Sequence, residues 1–274
     1  MSEDTLRFGF GRNWEHYLKE HFSEERVQIS QDHLLKFLKL ENLNGKTFLD
    51  IGCGSGLHSL AALRAGATRI VSFDYDVHSV LAAQMLRKYE GNPESWEVKQ
   101  GSILDRQFIA SLEPADIVYS WGVLHHTGSM WQAVENLQPL IADDSIVYLA
   151  LYDDITYFDL PLTHWVEVKK QYNLANWFGK KKIEFEYIWQ FYLQRKISKI
   201  PELIRQAREY KKGRGMDLYR DAVDWLGGWP FEYASVDAVK KFASQRLGLE
   251  LTNLATGQAC AEYLFKRSGK SKYL

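Results

Sequence analysis

The sequence predicts an α/β fold in which helices cover both faces of a doubly wound, mostly parallel sheet. Three observations predict it. Between Lys46 and about Ala150, short apolar runs alternate with helical segments. A glycine-rich turn, LDIGCGSGLHS, joins the first run to the first helix. Strand signals then stop and resume only near the C-terminal end, where two runs read as an antiparallel hairpin.

The elements follow in order. Ser23-Glu-Glu is a good helix start, and Val27, Leu34, Leu35 and Leu38 mark an apolar face expected to pack on the sheet's edge. The runs TFLDIG, RIVSFD, WEVKQG, DIVYSW and SIVYLALY are rich in Val, Ile and aromatics, as buried strands are. LHSLAALRAGA, HSVLAAQMLRKY and MWQAVENLQPLI lie between them with apolar residues at helical spacing. After the fifth run come helical segments such as IEFEYIWQFYLQRK and PELIRQAREYKK, then the glycine-punctuated GRGMD and DWLGGWPFEY. A helix, VDAVKKFASQRLG, precedes the closing runs LELTNLAT and ACAEYLFKR. The expected organisation is a cap segment and helix over 1–45, a sheet domain over 46–152 and 236–268, and a helical insertion over 153–235.

Composition sets outer limits. The 274 residues are 46% hydrophobic and 25% charged, ordinary for a globular chain with ample core. The formal net charge of -1 supplies no global field to recruit nucleic acid or an acidic membrane. Two cysteines, Cys53 and Cys260, rule out a disulfide framework, and no metal site is expected. The N-terminal stretch lacks the basic start and apolar run of a signal peptide, and no run approaches the ~18 apolar residues of a membrane span. A reducing cytoplasm is the expected compartment. Aromatics reach 14%, with nine Trp, many outside the sheet segments.

The turn carries the chemistry. Gly52, Gly54 and Gly56 follow the strand ending at Asp50 and precede a helix, so the arrangement is Rossmann-like. Their spacing is G-x-G-x-G, and Leu57 occupies the position where a dinucleotide fingerprint needs its third glycine. S-adenosylmethionine has no pyrophosphate and suits the tighter turn, with its carboxylate near amides at a helix N-terminus. Cys53 sits inside the turn, where a small residue is needed. Asp74 closes the second strand about twenty residues on, where a carboxylate can accept both ribose hydroxyls; Tyr75 follows it, and Asp76 is the better candidate to cap the next helix. Ser102 and Ile103 end the third strand beside the expected adenine ring. Ser120 and Trp121 end the fourth, with His125 and His126 just beyond. Ligands of open α/β sheets bind at this carboxyl edge.

LDIGCGSG, SFDYD, QGSILD and YSWGVLHHTGSMWQA together resemble class I S-adenosylmethionine-dependent methyltransferases, over residues 46–152 and 236–267. FGFGRNW, YSWGVLHHTGSMW, GRGMD and DWLGGWPFEYAS resemble, more narrowly, a bacterial subfamily of that class associated with surface-polysaccharide biosynthesis. Two departures stand out. The connection before the last strand is only ATGQACAEY, and Ser102 stands where the class commonly has Asp.

The resemblance implies methyl transfer to a sugar or other small hydroxylated acceptor. A hydroxyl needs a general base, and histidine suits that role near neutral pH. By resemblance His125 and His126 are the candidates, with Tyr152 and Asp153 as neighbours; one of the pair is expected only to shape the loop. Trp14, Trp225 and Trp229 could line an acceptor cleft, and the aromatic N-terminal loop with the insertion would form a lid. From Thr163 to Arg220 there are fourteen Lys and Arg against six Asp and Glu, a local excess that would suit an anionic acceptor, with Arg214 as its direct contact. Two alternatives stay open: N- or S-methylation of a metabolite or RNA, and a non-catalytic cofactor-binding partner subunit. Nucleic acid is not the expected partner.

Overall fold

A computed structural model describes residues 8, 9, 11, 22–154, 160–213, 218–257 and 260–267. They form two compact units, one within Gly9–Asp154 and Glu232–Leu274, the other within Met1–Phe8 and Ile155–Phe231.

The first unit is built on a seven-stranded sheet. Its strands are β1 (Thr47–Ile51), β2 (Arg69–Asp74), β3 (Trp96–Gln100), β4 (Ala115–Trp121), β5 (Ile141–Tyr152), β6 (Leu249–Ala255) and β7 (Cys260–Arg267). Their order is β3-β2-β1-β4-β5-β7-β6. The first five are parallel, and β7 runs antiparallel between β5 and β6. The chain reverses direction across the sheet at β1 and β4, the place where such sheets open a crevice at their carboxyl ends.

Two apolar layers enclose the sheet. On one face α1 (Glu24–Leu38), α2 (Leu57–Arg64) and α3 (Val77–Tyr89) bury Leu34, Leu60 and Leu86 against Phe48, Ile117 and Tyr148. On the other, α4 (Arg106–Ala110), α5 (Met130–Glu135) and α10 (Val236–Leu247) bury Ile109, Val134 and Ala243 against Leu49, Val118 and Phe265. Ser23 caps α1 as expected, accepting from the Arg26 N–H. Phe37 stacks on Tyr148 of β5 at 4.4 Å between ring centres, and the Phe37 carbonyl accepts from Asn253 of β6, the edge strand, at 3.1 Å. The helix thus packs across one sheet face from β5 to that edge. Arg64 ties three helices together, bridging Glu90 at 2.8 Å and Glu24.

The second unit contains α6 (Leu162–Leu174), α7 (Trp177–Tyr187), α8 (Ile200–Gly213) and α9 (Leu218–Gly227). Much of the aromatic excess is used here. Trp165 is buried against Tyr187, Phe191 and Trp225. Lys169 is buried among the same rings; its Nζ donates to the Trp225 carbonyl and lies 3.9 Å from the Trp225 ring centre and 4.7 Å from that of Phe231. Burial holds its pKa well below the usual lysine range. Phe8 belongs to this unit. Its N–H donates to the Trp229 carbonyl at 3.1 Å, and its ring lies where a Cβ on Gly227 would come within 2.2 Å.

No helix among the described residues is long and apolar enough to cross a membrane. Leu34 is fully buried where α1 meets the sheet. Leu34→Ala should cost about 3 kcal/mol of stability, read from urea unfolding of the sheet unit, because it leaves a cavity between two rigid layers.

Candidate active site

The three turn glycines all adopt left-handed backbone, with φ of 73° at Gly52, 53° at Gly54 and 79° at Gly56. An L side chain rarely takes that conformation. Gly52 has a second reason to lack a side chain, since a Cβ there would stand 2.3 Å from Val123. Val123 lies in the loop after β4, so the loop carrying the histidine pair packs directly on the glycine turn. Gly56 is the N-cap of α2 and offers no side chain to the first-turn amides.

Asp74 at the end of β2 holds the turn from the other side. One carboxylate oxygen accepts from the Gly54 N–H at 3.0 Å, the other from the Asp76 N–H at 2.9 Å. Burial, only partly offset by these two bonds, raises its pKa to about 6. Asp76 caps α3 through the His78 N–H, as expected, and also accepts from the Gly11 N–H at 2.9 Å. A Cβ on Gly11 would collide with that carboxylate at 2.6 Å, which gives one glycine of the FGFG motif a physical reason.

Two residues expected to touch a cofactor are instead occupied within the protein. Asp50 is 2% exposed and accepts from the Ser59 hydroxyl at 2.5 Å. Ser59 and Ser72 hydroxyls meet at 2.6 Å, and the Trp96 Nε1–H donates to Ser72 at 2.8 Å. Burial raises the Asp50 pKa to about 7. Ser120 is buried too, and its hydroxyl donates to the Ile51 carbonyl at 3.1 Å, fastening β4 to the base of the turn. Cys53 is buried in the turn, and burial beside Asp50 and Asp74 keeps its thiol protonated, so it is no nucleophile.

Other expected positions gather at the same carboxyl edge of the sheet. Ser102 follows β3, its hydroxyl accepting from the Leu104 N–H at 3.1 Å, and Ile103 is buried beside it. Tyr75 and Trp121 are exposed. A cavity of about 80 Å³ lined by Thr47, Arg69, Lys99 and Glu113 lies at the opposite ends of the strands, away from these residues.

The histidines differ. His125 is 1% exposed, and its Nδ1 accepts the Tyr152 N–H at 3.1 Å, which places any proton on the neutral ring at Nε2. His126 is half-buried, and its ring stands edge-on to both His125 and Tyr152, at 4.5 and 5.4 Å between centres. Asp153 is buried just past Tyr152. Of the four aromatic and basic residues expected at an acceptor, Trp14 and Arg214 lie outside the described residues. Trp225 packs in the core of the helical unit against Trp165, Lys169 and Phe231, and Trp229 is half-buried in the same unit.

One residue was missed by the sequence reading. Glu232 accepts the Met130 N–H with both oxygens, at 3.1 and 3.0 Å, and also the Gly128 N–H. Its own N–H donates to the His125 carbonyl at 3.0 Å. Glu232 therefore holds the histidine loop at three points. The DWLGGWPFEYAS motif contains it, but its partner Met130 lies 102 positions away and leaves no local signal.

These features meet their counterparts in known proteins. Residues 49–147 match the family model of the methyltransferase domain. That match covers just over a third of the chain. Over 104 residues the chain is 35% identical to the tRNA U34 carboxymethyltransferase of Klebsiella pneumoniae, covering 36% of this chain and 30% of that protein. Over 83 residues it is 34% identical to the ribosomal protein L11 methyltransferase of Yersinia pseudotuberculosis, covering 30% and 25%. The chain thus spans less than a third of the length of the curated relatives it matches. Among solved structures it resembles the magnesium protoporphyrin IX methyltransferase of Synechocystis, which holds S-adenosylhomocysteine, with a TM-score of 0.56 and 15% identity over 97% of this chain and 98% of that one. A chain from the complex of the Haloferax volcanii Trm112 activator with a methyltransferase gives 0.55 and 11%, over 96% of each. At such identities the likeness concerns the fold.

The histidine loop should depend on Glu232. Glu232→Ala removes the acceptor of two loop amides, and hydrogen exchange at Gly128 and Met130 should quicken by about tenfold, while amides of β1 and β4 keep their protection.

Proposed function

We propose that this chain is an S-adenosylmethionine-dependent O-methyltransferase acting on a sugar or another small hydroxylated, anionic acceptor. The observation that carries this reading is the packing of Val123 on Gly52, which sets the loop of His125 and His126 against the glycine turn. When bound, the cofactor supplies a sulfonium methyl open to in-line displacement. The turn glycines admit it close to the backbone, and Asp74 receives the ribose hydroxyls. Ser102 and Ile103 flank the adenine, and Tyr75 and Trp121 offer exposed rings. Asp50 and Ser120 act beneath, by fixing the turn.

His126 is the general base. The Nδ1 of His125 already accepts the Tyr152 N–H, so its ring cannot take an acceptor proton there and instead braces the loop. His126 stands against Tyr152 at the site's edge and can receive a hydroxyl proton as the methyl leaves sulfur. The sugar acceptor follows from the resemblance of the histidine loop and flanking motifs to the surface-polysaccharide subfamily. RNA is the second reading, favoured by the identity to a tRNA-modifying enzyme, although that identity spans only 36% of the chain.

Tritiated S-adenosylmethionine offered with acidic sugars, nucleotide-linked sugars, bulk tRNA and ribosomal protein should label a sugar hydroxyl. Label confined to tRNA would replace the acceptor assignment. With the acceptor so found, His126→Asn should lower kcat by about a hundredfold while S-adenosylhomocysteine affinity is unchanged. A His126→Asn enzyme with full turnover would remove it as the base.

Cofactor affinity carries its own pH signature. Only ionised Asp74 accepts two hydroxyl bonds, and its pKa without ligand is about 6. Affinity for S-adenosylhomocysteine, measured calorimetrically, should be full above pH 6 and fall as pH drops through it. Asp74→Asn should bind about 1–3 kcal/mol more weakly at pH 8 and lose that pH dependence.

A further inference from the structure

The outward side of α7 sets large aromatic side chains among charged ones, where a solvated helix presents polar groups alone. Phe178 and Phe185, two helical turns apart, are 75% and 65% exposed, while Glu184 and Tyr187 on the opposite side are buried. Trp189 stacks on Phe185 with planes 8° apart, and Trp177, also exposed, meets Phe178 edge-on at 4.8 Å. Lys181 and Lys182 lie between the two phenylalanines along the helix, both exposed; Lys181 pairs with Glu184 at 2.8 Å, and Lys182 makes only a loose surface pair with Glu186 at 3.8 Å. The same device recurs further along, where exposed Ile197, Ile200 and Ile204 keep helical spacing among Arg195, Lys196 and Arg205.

We propose that these exposed aromatic and aliphatic side chains of the helical unit serve peripheral docking on a bilayer rich in anionic phospholipid. Two features select that occupant. The charge is complementary: between residues 177 and 208 the exposed charged side chains are Lys181, Lys182, Arg195, Lys196, Arg205 and Arg208, against Glu186. The apolar groups are mixed, Phe and Trp with Ile. Bases stack on aromatic rings, so an RNA surface has use for Phe and Trp but none for a row of isoleucines. All three residue types partition into the boundary between headgroups and acyl chains, with lysines reaching to the phosphates. Phe178 and Phe185 would insert, and Lys182 would engage headgroups.

Vesicle sedimentation with the full chain tests this. The protein should pellet with phosphatidylglycerol–phosphatidylcholine vesicles, remain in solution with phosphatidylcholine alone, and release as salt rises. Lys182→Glu should lower the partition coefficient by about tenfold. Phe178→Ser with Phe185→Ser should abolish pelleting while the circular dichroism spectrum and S-adenosylhomocysteine affinity stay as in the native protein; both side chains are exposed, so folding does not need them. Equal pelleting by that double variant, or none by the native chain, overturns the proposal. So does a double variant whose loss appears instead in binding to a single-stranded RNA oligonucleotide, or in dissociation of a dimer by light scattering.

Discussion

The arrangement at the sheet's carboxyl edge depends on a carboxyl group that never reaches it. Asp50 lies in the interior, one residue before the end of β1, and a buried carboxyl without partners would be costly. It accepts from Ser59 of α2, whose hydroxyl meets that of Ser72 in β2, and Ser72 in turn accepts from Trp96 of β3. This one chain of hydrogen bonds fixes the angle at which α2 leaves the strand. With α2 fixed, the turn between them has a single course, and three left-handed residues are needed to follow it. The depth of the glycine turn is set from below before any ligand contributes.

Around that base, support and chemistry fall to different residues of similar type. Asp50 and Asp74 are both strand-end aspartates with raised pKa, but one is sealed under the turn and the other is half-buried at its rim. Of two adjacent histidines, the buried one receives a backbone N–H and the half-buried one stands at the edge. The difference within each pair is access, and access is created by the layers packed around them.

This explains what could be read from sequence. The strands, the turn, the cap at Asp76 and the closing hairpin all leave local marks: periodicity, glycine spacing, a polar residue before an apolar run. The course of α1 across the sheet face left none, because periodicity reports that a helix has an apolar side and not what covers it. The roles of Ser120 and Glu232 were hidden for the same reason. Ser120 bonds to a residue 69 positions away, and Glu232 to one 102 positions away. Reading Asp50 and Ser120 as ligand contacts was natural for polar residues at a ligand-binding edge, but each had a closer partner within the protein. The near-zero net charge is the sum of a basic helical stretch and an acidic remainder, an asymmetry that residue counts along the chain already show.

The position of β7 bears on how this sheet is made. It is the last described element in the chain, yet it lies between β5 and β6 and supplies β5 with its only outer neighbour. On the ribosome, β5 is complete more than a hundred residues before that neighbour emerges. Until then the nascent chain carries a long apolar strand with an open edge, a template for wrong pairing. The helical unit is synthesised within that interval. Its length is therefore also a delay, during which the edge of β5 waits for its partner.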